Sequence, residues 1–283
     1  MKAIVYIYIY LCYLVKRVFK KNFPGLGKIQ KLLKNDHVFT FMGKKLYYKS
    51  GIAGAYDYLL IGKSNEPETH HFFKRIVPLL DTANFVDVGA SIGEMVTGIS
   101  IYPHINRIIA FEPRKECVEV LQKLSSLNNR LIEIHANIVS DSENEIPFFY
   151  NQGGNNFSGI YKEKAALYVN IKSVKLDSVL PEYMENTILL IDVEGAEPLV
   201  LKGGMNFIQK NKPLIIFEYN HYSKTHYCLD DIHSLLGNEY DIFRLRSDGS
   251  LDKDFSNSWN CVAIPLRSLF HRKIMLQPFQ IIR

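Results

Sequence analysis

The chain has 283 residues, 47% apolar and 22% charged, enough to bury a full core in one large α/β domain with an appendage, which argues against disorder as the main state. Its four cysteines, Cys12, Cys117, Cys228 and Cys261, form no C-x-x-C pair; a disulfide framework or zinc knuckle is disfavoured and a reducing, cytoplasmic setting fits. The net charge of +5 is uneven: through residue 49, eleven Lys and Arg face one acid, Asp36, so this part carries +10 and the remainder −5. The basic balance therefore says nothing about the main domain's substrate.

In chain order, the apolar run Ala3 to Val15 comes first. As a helix it would rise about 20 Å, short of the roughly 30 Å hydrocarbon core, so it should not span a membrane. Only Lys2 precedes it and Lys16-Arg17 follow in place of a cleavage site, so it does not read as a signal peptide. Two readings stay open: a terminal element packed on the domain, or an interfacial anchor within residues 1–23, with Lys16, Arg17, Lys20 and Lys21 meeting anionic lipid. No DNA- or RNA-binding module pattern supports nucleic acid as a partner. "VFTFMGKKLYYKS" predicts a hairpin around Gly43-Lys44, and "ETHHFFKRIVPLL" a helix with Phe72, Phe73, Ile76, Leu79 and Leu80 on one face and Pro78 near its end. His70 and His71 read as solvated or half-buried helix residues. Residues 1–60 thus form a basic, partly apolar extension ahead of a domain at 61–283.

From Asn84 strands and helices alternate: "FVDVG" (strand), "EMVTGISIY" (helix), "RIIAFEP" (strand), "KECVEVLQKLSSL" (helix) and "LIEIHANIV" (strand). After a loop, "NQGGNNFSGIYKEK", and a strand-like "LYVNIKSVKL", the alternation resumes with "TILLIDVEG", a helix through "AEPLVLKGGMNFIQKN", and "KPLIIFEYN". Two strands, "YDIFRLRSDGSL" and "NCVAIPL", close the chain. Repeated β-α units with a final strand pair imply a mostly parallel, seven-stranded, Rossmann-like sheet of the class I methyltransferase type, with helices on both faces and an antiparallel edge.

Ligands of such sheets bind outside the carboxyl ends of the strands, at the switch point. A dinucleotide fingerprint needs G-x-G-x-x-G, but its first glycine is here Asp87, and Gly89-Ala90-Ser91-Ile92-Gly93 has a different spacing. A carboxylate there would repel a pyrophosphate and suits S-adenosylmethionine, with its ammonium and sulfonium. Glu112 ends the second strand, nineteen residues after Gly93, where it can accept both ribose hydroxyls. Asn137 and Ile138, at the end of the third strand, lie where adenine would; Asn137 either bonds its edge or caps a turn. The cofactor residues are thus Asp87, Gly89, Ser91, Gly93, Glu112, Asn137 and Ile138.

These motifs, with "VKLDSVL", "LLIDVEGAEPLVLKGG", "KPLIIFEYN", "EPET" upstream and "NCVAIP" at the end, resemble the FkbM-type S-adenosylmethionine-dependent methyltransferases over about residues 66 to 265. One departure is Leu190, where that family commonly has a lysine. The resemblance implies O-methylation of a sugar or another hydroxylated small molecule, a small-molecule or glycan acceptor. A hydroxyl must lose its proton, so a base or a metal belongs at the top of the fourth and fifth strands. Asp192, Glu194 and Glu218 stand there, with His221 beyond, and are the catalytic candidates. No spacing demands a metal, although the three carboxylates could hold a hard cation. Glu197 reads as a first-turn helix acid, and "NQGGNNFSGIY" as a loop over the acceptor. The competing reading is a non-catalytic module of the same fold, recruited to a membrane or partner through its N-terminus.

Overall fold

The computed structural model describes residues 2–19, 26–151, 158–161 and 167–275. The N-terminal run is helical: α1 (Lys2–Phe19) buries Val5, Ile9 and Cys12, four and three residues apart as one helix face requires, and turns Ile4, Ile7, Leu11 and Val18 outward. Lys20 and Lys21 lie outside the described residues. After α2 (Leu26–Gln30), β1 (His37–Phe41) and β2 (Lys44–Tyr48) form the hairpin. Its two-residue turn is Met42-Gly43, with φ of 48° and 77°, one position earlier than expected. Positive φ at both turn residues matches the right-handed twist of the strands.

In α3 (Pro67–Ile76), Pro67 occupies the first turn, where its missing N–H leaves nothing unpaired. Phe72, Phe73 and Ile76 are buried as expected; His70 is not solvated. It sits beneath the edge of Phe41, buried, with its Nε2 3.2 Å from Glu94 Oε1. His71 is exposed and bonds the Ser247 carbonyl at 2.8 Å.

The sheet begins with β3 (Ala83–Val88), followed by α4 (Glu94–Ser100), β4 (Ile105–Phe111), α5 (Lys115–Leu127) and β5 (Glu133–His135). The single strand expected over 131–139 is split. β6 (Ile138–Val139) leaves the main sheet and, with β7 (Glu145–Tyr150) and β8 (Leu167–Val174), makes a separate sheet ordered β6-β8-β7. Sequence reading missed β7 because Pro147 interrupts it; proline is tolerated there because the strand is an edge. Then come α6 (Leu176–Val179), β9 (Thr187–Ile191), α7 (Glu197–Gly203), α8 (Met205–Asn211), β10 (Leu214–Glu218), α9 (Leu229–Leu236), β11 (Tyr240–Leu245), β12 (Leu251–Asp252), β13 (Asn260–Pro265) and α10 (Leu269–Met275). α7 and α8 were expected as one helix; Gly203-Gly204 divides them.

The main sheet has eight strands ordered β12-β11-β13-β10-β9-β3-β4-β5. β9, β10, β3, β4 and β5 are parallel, as expected, and helices cover both faces. The eighth strand is the two-residue β12, and antiparallel β13 is inserted between β10 and β11 instead of lying at the edge. Central strands are buried on both faces: Phe85 faces one apolar cluster, Val86 and Val88 the other. The cluster holding Phe85 and Ile108 also takes in Val5, Ile9 and Cys12, so the N-terminal extension shares a core with the sheet.

Candidate active site

From β3 the chain runs outward through β4 to β5, then returns to β9 and β10 on the other side. The order therefore reverses between β3 and β9. Strand twist and the departing loops open a crevice at such a reversal, and a cavity of about 660 Å³ lies there. Four neighbouring strands each carry, at or within one residue of the carboxyl end, an acid that lines it: Asp87, Glu112, Asp192 and Glu218.

Asp87, the fifth residue of β3, is 2% exposed, and its Oδ2 is buried without a hydrogen-bond partner. Burial, reinforced by Glu112, pushes its carboxyl up to about 8. Glu112 is also buried, and burial raises its pKa, yet both oxygens are held: Oε2 accepts from Ser91 N and Oε1 from Arg114 N, each at 2.8 Å. Each carboxylate oxygen has a second lone pair available to a ligand.

Between these acids the loop is pinned by the amides of Gly89 and Ala90, which donate to Phe111 O at 2.9 and 3.1 Å. Gly89 has φ of 94°, and a Cβ built on it would lie 1.8 Å from Asp192 O, so only glycine fits. Ser91 lines the cavity; Gly93 does not, because it turns toward Leu121 and Leu124 of α5. Asn137 and Ile138 line the far end, where Asn137 Nδ2 already donates to Lys172 O at 3.2 Å.

On the β9 side, Asp192 N donates to Val88 O at 2.9 Å, which joins the two strand ends. Its half-buried carboxyl is raised well above the usual range by burial and then by Glu66. Among the described residues no hydrogen bond to this carboxylate is present, so its lone pairs face the cavity. Glu194, at φ of 55°, lines the cavity too, pushed up to about 9 by burial and by Asp192. Glu218 differs: its Oε1 accepts from Asn220 Nδ2 at 2.5 Å and its Oε2 from Ser223 Oγ at 3.0 Å, although burial and Asp192 raise its pKa as well. His221 is exposed at the mouth.

Glu197 does more than favour a helix start. Fully buried, it turns its Oε1 back to accept from Val193 N and Gly195 N at 3.0 and 3.3 Å, fixing the loop that carries Asp192 and Glu194. Burial pushes its carboxyl up to about 7. It also displaces Glu194 from the carboxylate trio: oxygens of Asp192, Glu197 and Glu218 lie within 4.8 Å of one another, a set that could hold a divalent cation.

Two acids escaped sequence reading as site residues. Glu66, from "EPET", reaches the cavity with its Oε2 accepting from Asn260 Nδ2 at 2.8 Å; burial, then Glu94, pushes it up to about 8. Glu94 ties that segment down, its Oε1 accepting from Ser64 Oγ at 2.6 Å and Asn65 N at 3.0 Å. An acid directly ahead of a predicted helix was the available signal for Glu66. Leu190 is buried at the cavity wall, so no lysine stands at that position. Of the acceptor loop, Ser158, Gly159 and Ile160 line the cavity and Tyr161 stacks on His226 at 4.0 Å; residues 152–157 and 162–166 lie outside the described residues.

Residues 87–253 match the methyltransferase FkbM domain. Among solved structures the chain is similar to a methyltransferase FkbM from Methylobacillus flagellatus KT, with a TM-score of 0.47 and 20% identity over 75% of this chain and 52% of that one. It is also similar to a ribosomal protein L11 methylase from Lactobacillus delbrueckii subsp. bulgaricus, with a TM-score of 0.42 and 14% identity over 71% and 79%. A third is the T. Thermophilus 16S rRNA N2 G1207 methyltransferase, in complex with AdoMet and guanosine, with a TM-score of 0.44 and 11% identity over 82% and 50%. The chain spans about half the length of the first. No curated protein matches it.

Proposed function

We propose, since the chain belongs to the FkbM methyltransferase family of S-adenosylmethionine-dependent enzymes, that it methylates a hydroxyl on a sugar, a glycan or a lipid-linked precursor. The observation that carries this reading is the pairing of two unlike groups of acids across one cavity. On one side stand the buried, unpartnered Asp87 Oδ2 and the bridging Glu112; on the other, Asp192 has its carboxylate open to the cavity.

The donor side fits S-adenosylmethionine. A buried carboxylate oxygen without a partner is costly unless a cation or donor arrives, and the cofactor's ammonium is one. Glu112, already oriented by two backbone amides, has lone pairs left for two ribose hydroxyls. When bound, the cofactor supplies a methyl group on a sulfonium, which a nucleophile attacks in line.

The protein's own task is then to position the acceptor oxygen and take its proton. Asp192 is the base of this reading, because both Glu218 oxygens already accept from internal donors and Glu197, fully buried, spends Oε1 on the Val193 and Gly195 amides, leaving only its buried Oε2 without a partner. Burial, and then Glu66, raise the Asp192 carboxyl, which strengthens it as a proton acceptor; positive charge brought next to it would act in the opposite direction. Glu218 holds Asn220 and Ser223, hence the segment that carries His221. Holding both partners in register supplies much of the acceleration.

The test is mass spectrometry across hydroxylated acceptors, including sugars, glycans, lipid-linked sugars and RNA, for addition of one methyl group. Transfer to a hydroxyl that stops on Asp192→Asn supports the reading, and methylation confined to RNA bases would overturn it. Failure to bind S-adenosylhomocysteine would favour the non-catalytic module instead.

A further inference from the structure

We propose that the outer face of α1 rests on a bilayer containing anionic phospholipid and that the mouth of the active-site cavity opens onto that surface. α1 is apolar on two opposite faces. Val5, Ile9 and Cys12 are sealed into the core, while Ile4, Ile7, Leu11 and Val18 are 66, 61, 54 and 67% exposed. At 100° per residue these four form one stripe on the side turned away from the domain. An apolar helix stripe that faces water on one side of a folded domain calls for a second apolar medium.

Charge selects the medium. α1 contains no acid, and exposed Lys16 and Arg17 close its last turn. Eleven Lys and Arg against one acid through residue 49 make this the cationic end of a chain whose remainder is acidic. A second copy would bring two such ends together across a twofold axis and repel itself; an anionic surface attracts them. The helix is not long and apolar enough to cross a membrane, so it lies in the interface.

The same helix borders the cavity. It does so on its domain-facing side, where Lys16, at the angular position of Val5 and Ile9, stands over the Tyr58 ring at 5.1 Å, and both residues line the cavity. Trp259, 48% exposed, lines it as well, and is the chain's single tryptophan. Amphipathic tryptophan rings suit the headgroup level. Resting on the methyl-transfer reading above, a cavity rimmed by exposed Trp259 beside a lipid-facing helix narrows the acceptor to a hydroxyl presented by a lipid-linked molecule.

The experiment uses the full chain and needs no acceptor. Co-sedimentation is measured with phosphatidylcholine vesicles with and without phosphatidylglycerol, at low and high salt, while Trp259 fluorescence is followed with brominated phosphatidylcholine as quencher. Binding that requires phosphatidylglycerol, weakens with salt and quenches Trp259 is expected. Ile7→Ser/Leu11→Ser, at exposed positions, should bind at least tenfold more weakly and lose the quenching, with an unchanged melt and unchanged S-adenosylhomocysteine binding. Equal partitioning of this variant and the wild type would overturn the assignment of the face. A chain that stays in the supernatant as a dimer would assign the face to a second copy and overturn the lipid proposal. Sedimentation without quenching would overturn the orientation of the mouth. Because no readout depends on turnover, failure here is distinguishable from failure of the methyl-transfer reading.

Discussion

Replacing Asp87 with asparagine should stabilise the cofactor-free protein at alkaline pH while weakening its hold on the cofactor. The carboxyl is 2% exposed, and burial with Glu112 nearby moves it from 3.8 to about 8. An acid whose folded pKa lies above its unfolded value binds its proton more tightly in the fold. Its contribution to stability is therefore greatest in acid and is lost as pH rises from the unfolded value through the folded one. At 1.36 kcal/mol per pH unit, Asp87 should cost the wild type on the order of 3 kcal/mol between about pH 5.5 and about pH 8, a loss the asparagine variant escapes. The other raised carboxyls of the site, Glu66, Glu112, Asp192, Glu194, Glu197 and Glu218, titrate in both proteins, so the difference between the two curves reports Asp87 together with its coupling to Glu66 and Asp192. For a chain of this size it corresponds to roughly 6 °C in melting temperature. Thermal melts of both proteins at about pH 5.5 and about pH 8.5 measure it. Calorimetric titration with S-adenosylhomocysteine should show affinity falling by about tenfold or more, as expected for losing a charge-assisted hydrogen bond. Parallel pH curves would refute the buried proton, and unchanged affinity would remove Asp87 from the cofactor side.

Glu112→Gln should weaken S-adenosylmethionine binding by about 1.5–3 kcal/mol, the range for hydrogen bonds to a charged group; calorimetry showing no change would place the ribose elsewhere. Asp192→Asn should lower turnover on the true acceptor by about 10²-fold or more while leaving cofactor affinity within about tenfold, and surviving turnover would move the base to Glu194, Glu218 or His221. Gly89→Ala should destabilise the fold by about 3 kcal/mol or more, because the new methyl meets Asp192 O at 1.8 Å on a backbone with φ of 94°; an unshifted melt would mean that the β3 and β9 ends are not clamped together. If Asp192, Glu197 and Glu218 hold a divalent cation, chelation should abolish turnover and readdition of the cation restore it, whereas activity indifferent to a chelator assigns the trio to proton handling alone.

The alternation of buried strands and amphipathic helices was legible because its cause is local: period and composition decide which face each segment buries. So was the gathering of Asp87, Gly89 and Glu112 at one cavity, since they sit at fixed offsets from strand ends, and such ends converge at a switch point in any parallel sheet. The sequence also showed that the N-terminal run was too short to span a membrane. It could not separate core from anchor, because both demand apolar residues; only packing revealed that α1 buries one apolar face and leaves another exposed.

Contacts between distant segments were decided by tertiary structure. β13 enters between β10 and β11, a pairing set by which edges remain open after the parallel strands assemble, and no local pattern records it. Glu197 reads as an ordinary first-turn acid until the preceding loop folds back onto its oxygen. Glu66 and Asn260 lie 194 residues apart and meet only across the finished sheet. The same holds for the raised carboxyls: sequence identifies the acids, but how far each is desolvated, and which others surround it, exists only once the strand ends have closed around the cavity.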